Sequence, residues 1–404
     1  MPNLIHASTP LVLALLCAVS SDAAGAAGGI VFACAPQQSL QLRRAMTAYL
    51  RELGVERQLV TQTGTADGTL GYTLNSAADG TLELQRQYRI PDESLRLPLK
   101  NGKTRAVRTV AKKEILLALL QPGRLTRLHG AACTVAALRE QVGLRQNIVA
   151  WSEELSWVWP DGELAYWNRQ MWDRGTPLAT VPLRRALLDA FLHQDRYRIG
   201  CYTAAKLVYA HAVLDYYVRV RKDSPKTALV RSRLLHDAEP LVGVEPPAMW
   251  DFESDFDAAT RDVPGKLLRL NSGVAAGNFV PGDWVYLRNT DPLSAQKTGY
   301  EGSNAIYLGR GRFSDYYNDH RHSYTYAEKV DEVYQWRHGV FSRSRDAAKI
   351  VPLSEADIAR LSQAPAEGGL LLDLRAIPYW FGYEDLPQLP PPRQLLTQSS
   401  AASD

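Results

Sequence analysis

Cys201 carries the thiol best placed for chemistry in this chain. It follows Gly200 and opens the stretch 202–220, which is apolar on nearly every face and reads as a helix buried inside a domain. Thiols react as thiolates, and a helix start favours the anion through its open N–H groups and the positive end of its dipole. The preceding glycine lets substrate and backbone approach closely. Of the other cysteines, Cys17 lies in an apolar leader, while Cys34 and Cys133 fall in the first third of the chain and are able to pair. In an oxidising compartment that count leaves one bridge and one thiol. The plainer reading of Cys201 is a small buried hydrophobe. Downstream, Asp319-His320-Arg321-His322 gathers two imidazoles that suit either a base or a solvated loop. A His-x-His pair also suits a metal, but no further ligand stands at a convincing spacing, so neither a metal nor an organic cofactor is expected.

The elements that must position these groups follow from periodicity. Gln38–Leu53 has helical spacing, with Leu40, Met46, Leu50 and Leu53 as candidate buried positions. Strand-like pieces at 69–74 and 81–89 are each opened by an Asp-Gly turn signal. Lys112–Leu120 is a second helix, stopped by Pro122-Gly123. Thr134–Trp151 reads as a helix with Val135, Leu138, Val142 and Ile148 on one face. Five of the nine tryptophans lie between Trp151 and Trp172, which suits a groove wall or a packed core edge. Pro182–Phe191 is another helix, with its proline at an early position. Trp284–Leu287 and Asn304–Leu308 read as strands, the second ending in the tight turn Gly309-Arg310-Gly311-Arg312.

At the N-terminus, Leu11–Val19 is a short apolar run followed by the small residues 23–29, a pattern suited to an export signal cleaved near Ala26. Lys+Arg is 46 and Asp+Glu 43, a formal +3 over 404 residues. That balance argues against nucleic acid or an anionic membrane as the main partner. No later stretch is long and apolar enough to span a bilayer, so no membrane association is expected once the signal is removed. The expected organisation is a signal at 1–26, an accessory region at 27–130, a catalytic domain at 131–386 and a disordered, proline-bearing tail at 387–404. The protein is expected to be exported, to the periplasm or the medium.

A thiol on a buried helix followed by polar groups on antiparallel strands is the papain-like plan, an α+β fold with the site at the seam of helix and sheet. Within that plan the fragments GLRQNIVAW (143–151), Tyr166-Trp167, GCYTAAKLVY (200–209), GDWVYLRN (282–289) with Asp291-Pro292, and GSNAIYLG (302–309) occur in order. Over 133–345 the chain thereby resembles the small bacterial transglutaminases first described from spore coats. The resemblance implies a nucleophile at Cys201 and a trailing histidine best matched by His320, with His322 as rival. The family's carboxylate before the cysteine is here Gly200, and its strand glutamate is here Ser303. Glu301, two residues earlier, stands as a substitute. The implied reaction is acyl transfer from a protein glutamine to a lysine or other primary amine through a thioester at Cys201. The implied partners are therefore proteins bearing Gln and Lys. Two competing readings share the thiol or its scaffold: a papain-like peptidase or amidase acting on cell-wall peptide, and a non-catalytic binding protein. The missing carboxylates favour both.

Overall fold

The computed structural model describes residues 28–236, 269–272, 276–340, 350–363 and 369–376, leaving out 66–67, 76–79, 123, 161–162, 174, 298 and 319–321. The leader at 1–26, the tail at 387–404 and His320 lie outside the described residues. Within them the fold is mixed α+β, as expected.

The first segment builds a four-stranded sheet from β1 (Gly29–Ala33), β2 (Val60–Gly64), β3 (Thr69–Leu74) and β6 (Leu125–His129), in the order β2-β3-β1-β6. β1 pairs antiparallel with β3 and parallel with β6. Helix α1 (Ser39–Glu52) buries Leu42, Met46, Tyr49 and Leu50, whereas Leu40 is 60% exposed. The expected core position at Leu40 is corrected to Leu42, because the buried face repeats from Leu42 through Met46 to Tyr49–Leu50. A second correction concerns 81–89: residues Thr81–Glu83 form a 3-10 turn and Leu84–Gln87 a short helix, α2. Only Leu84 of α2 is buried, so tertiary packing of one leucine overrides the strand-like composition. A hairpin of β4 (Glu93–Pro98) and β5 (Thr104–Thr109) and the buried helix α3 (Lys112–Leu119) complete the segment.

Two helices form the centre. Helix α4 (Val135–Ser152) starts where the Thr134 hydroxyl accepts from the Ala137 N–H, an N-cap that its sequence announces. After a short pair of strands, β7 (Trp172–Asp173) and β8 (Thr176–Pro177), helix α5 (Leu183–Leu192) leads to α6 (Cys201–Asp215). Every residue of α6 from Tyr202 to Asp215 except Lys206 is buried. It runs on into a π-helical turn, Tyr216–Arg221, and then α7 (Ser224–His236). Polar bonds cross the seam between α4 and α6. Asp215 accepts from Trp151 Nε1 at 2.9 Å and from Arg219, while Asn147 donates to the Ala212 carbonyl.

The second sheet contains β9 (Arg269–Ser272), β10 (Trp284–Asn289), β11 (Gly302–Gly309), β12 (Arg312–Ser314), β13 (Ser323–Thr325) and β14 (Leu370–Ala376), in the order β13-β12-β11-β10-β14-β9. All its pairings are antiparallel. Strand alternation sorts its side chains: Trp284, Ile306 and Leu308 join the core around α6. Val285, Leu287, Ala305 and Tyr307 instead pack with α8 (Tyr326–Arg337) and α9 (Glu355–Gln363) on the other face.

One hydrophobic core runs from Ile30 to Tyr317 without a break at residue 130. Trp157, Trp167 and Trp172 are at most 5% exposed and belong to this core, so the tryptophan-rich stretch is mainly a packed core edge. Cys34 and Cys133 form a disulfide that ties β1 to the start of α4.

Candidate active site

Cys201 is the first residue of α6, and the N-cap before it, Gly200, brings no side chain to cap the helix. The thiol is partly buried and outside the disulfide. Across from it stands Asn304 on β11, whose backbone N–H and side-chain amide approach Cys201 Sγ at 3.4 and 3.7 Å. The amide is not free to turn. Trp284 Nε1, which only donates, holds Asn304 Oδ1 at 2.9 Å, so the Nδ2 donor faces the sulfur. Trp284 is wholly buried and lies against Tyr202 and Tyr209 of α6, ring centroids 5.3 and 5.9 Å away. Two donors therefore converge on the sulfur from β11, which helps hold charge there.

The turn before β10 fixes this seam. Gly282 has φ +88, and a Cβ there would stand 3.1 Å from the Arg145 carbonyl oxygen, so glycine suits the position. Its own carbonyl accepts from the Tyr209 hydroxyl. Asp283 is 3% exposed and takes a fork from Arg124 at 2.7 and 3.0 Å and a third bond from Arg145 at 2.8 Å. Burial alone would raise its carboxyl, but the two guanidinium groups outweigh it and hold Asp283 below the usual range.

Tyr316 belongs to the core around α6, whereas Tyr324 stacks on Phe313 and packs on the α8 face of the sheet. Both are buried, and burial pushes both phenols well above their ordinary value, with Cys201 among the groups adding to the shift. Tyr316 follows β12, and its carbonyl accepts from the Trp157 N–H, joining the sheet to the loop after α4.

The other expected site residues fall in different places. His322 lies opposite Asp315, whose N–H donates to the His322 carbonyl. Its Nδ1 stands 2.7 Å from the Leu155 carbonyl, which can only accept, so Nδ1 donates in that bond. Ser303 pairs across the ladder with Leu287, and its hydroxyl accepts from Lys329 Nζ at 3.3 Å on α8. That contact turns Ser303 towards the α8 face, whereas Asn304 turns towards Cys201. Glu301 uses one carboxylate oxygen to accept from the Gly299 N–H at 2.9 Å. Asn304, Trp284 and Tyr316 carried no role in the sequence reading. The signal for the first two was present, since both sit inside the fragments GSNAIYLG and GDWVYLRN.

No curated protein matches the chain. Among solved structures, the transglutaminase from Geobacillus stearothermophilus (without C-terminal extension) is similar over 61% of this chain and 95% of that one, at 18% identity and a TM-score of 0.36. Residues 131–320, slightly under half of the chain and the part that holds Cys201, Trp284, Asn304 and Tyr316, match the family TGL, protein-glutamine gamma-glutamyltransferase, as the sequence fragments implied.

Proposed function

We propose that the protein is a protein-glutamine γ-glutamyltransferase acting through a thioester on Cys201. The observation that carries the reading is the thiol at the start of the buried helix α6, facing the two donors of Asn304, inside the segment that matches the family. Cys201 thiolate attacks the γ-carboxamide carbon of a glutamine. The C–N bond breaks, ammonia leaves with the proton taken from the thiol, and a thioester remains. A lysine ε-amine or other primary amine then attacks the thioester, gives up a proton to the base, and leaves as an isopeptide while Cys201 is regenerated.

The base belongs to the 320–322 segment. His320 matches the family position, and His322, whose Nδ1 is tied to the Leu155 carbonyl, is its rival. Ser303 and Glu301 serve by position: Ser303 links the strand carrying Asn304 to Lys329, and Glu301 shapes the Gly299 turn leading into it. The helix-on-antiparallel-sheet arrangement around Cys201 suits a papain-like core, with 131–386 as the catalytic domain and 27–130 as an accessory region built onto it. The Cys34–Cys133 disulfide supports export to the periplasm or the medium, with the leader at 1–26 as the signal.

The test is incorporation of a fluorescent primary amine into casein by the purified protein, with ammonia release followed in parallel. Cys201→Ala is expected to lose both signals. Ammonia without amine incorporation would replace transfer by hydrolysis, and a Cys201→Ala variant as active as wild type would overturn the assignment.

A further inference from the structure

The accessory region carries a second concave site far in sequence from Cys201. One face of α1 holds Arg43, Thr47, Leu50 and Arg51, spaced by three and four residues. Leu50 is buried, while Arg43, Thr47 and Arg51 are exposed. Opposite lies β2, an edge strand paired only with β3. At β1 and β3 the sheet closes under the helix through Phe32, Leu70 and Leu74. At β2 it does not: Gln62, in register with Tyr72, is polar and exposed. The result is a depression of about 540 Å³ whose lining includes Thr47, Arg51, Arg57, Val60, Gln62 and Tyr72.

Two further facts give this depression a chemical preference. Tyr72 is 2% exposed, yet among the described residues its hydroxyl has no hydrogen-bond partner. A buried hydroxyl without a partner costs free energy that a bound acceptor would recover. Burial pushes its phenol up to about 12, with Arg43 opposing, so the group stays a donor. Among the described residues, Arg43, Arg51 and Arg57 form no ion pair. The neighbouring carboxylates are engaged elsewhere, Glu52 with Arg139 and Glu56 with Gln58. Arg43 lays its guanidinium beside Gly64, at the end of β2.

We propose that this depression binds an oxyanion, a phosphate or a carboxylate, gripped by Arg51 and Arg57 with the Tyr72 hydroxyl donating from its floor. Guanidinium forks match the planar edges of such groups, and the hydroxyl supplies the bond from below. The volume exceeds that of a single ion, so the anion is one end of a small organic acid or phosphate ester. The apolar walls at Leu50, Val55 and Val60 receive the rest. This site stands independently of the chemistry at Cys201.

The experiment is a calorimetric titration of the whole protein with inorganic phosphate and, separately, with glutarate, at fixed ionic strength in a zwitterionic buffer. Saturable one-to-one binding by either probe is expected. Phosphate alone would assign a phosphoryl ligand, and glutarate alone a carboxylate. Arg51→Gln and Arg57→Gln should each weaken binding about tenfold. Tyr72→Phe should weaken it several-fold with an unchanged unfolding midpoint. Arg44→Gln, on the same helix but outside the lining, should bind as wild type. Absence of saturation with both probes would overturn the proposal, as would pocket variants that bind as well as wild type. An Arg44→Gln loss equal to theirs would also overturn it, because it would mean general charge attraction.

Discussion

Asn304 connects three side chains that the sequence scatters over a hundred residues: it accepts from Trp284 and donates towards Cys201. Removing a preorganised donor from a reacting centre costs on the order of a hundredfold in rate. Asn304→Ala is therefore expected to slow amine incorporation by about that factor while thermal unfolding stays within a few degrees of wild type. Equal rates for the two proteins would remove Asn304 from the site. Cys201 was legible because a glycine, a cysteine and a long apolar run coincide. The asparagine was not, because its role depends on which face of β11 it takes, and that is set by register with β10. Ser303 shows the same limit. Its neighbour Asn304 faces the thiol and so Ser303 faces Lys329, a choice that one strand residue either way would reverse.

At the level of elements, α6 carries the Cys201 thiol at one end and a buried imidazole, His211, in its middle. His211 is stacked on Phe191 at 4.5 Å and edge-on to Trp151 at 4.3 Å, and among the described residues neither ring nitrogen has a partner. Burial pulls it down to about 4; Asp215 opposes, and Arg184 and Arg219 add to the shift. Unfolding exposes an imidazole that takes up a proton below about pH 6.5. The folded state thus holds its full advantage above that pH and loses it as pH falls towards 4. Between pH 7.5 and 4.5, His211→Phe should lose roughly 2–3 kcal/mol less stability than wild type in urea titrations. Parallel losses in the two proteins would show that the imidazole is not the group responsible. The turn into β10 offers a sharper test. Asp283→Asn leaves Arg124 and Arg145 facing each other without a carboxylate, and should cost about 3–5 kcal/mol in the same assay. A loss below about 1 kcal/mol would mean that the fork contributes little. Helices α1, α3, α4, α5 and α6 and the two site strands were readable from periodicity, whereas α7, α8 and α9 were not. The stretch 81–89 was not, since its fate depends on Leu84 finding a place in the core rather than on its own pattern.

Across the whole molecule, the accessory region and the segment matched to the family share a core and several polar ties. Arg124 reaches Asp283, and Glu114 accepts from the Arg310 N–H at the β11–β12 turn. A fragment beginning at residue 131 would strip α4 of helices α1 and α3, which pack on it. Such a fragment is expected to lack a cooperative unfolding transition in calorimetry. A sharp transition near that of the whole chain would instead establish an autonomous catalytic domain. The disulfide closes a separation of 99 residues, so its reduction should lower stability by about 3 kcal/mol in urea titrations with and without reductant. None of this integration was visible in composition, because a boundary drawn where sequence texture changes says nothing about which apolar surfaces meet.

The pairing of β1 with both β3 and β6 also sets an order of assembly. A chain emerging N-terminus first offers β1 its antiparallel partner about forty residues later, well before β6 and Cys133 exist. During that interval one edge of β1 stays unpaired and Cys34 has no native mate, a period in which wrong strand pairing and wrong thiol oxidation compete with folding. Completion of the first sheet therefore coincides with arrival of the residues that begin α4, so the scaffold and the helix that packs on α6 mature together.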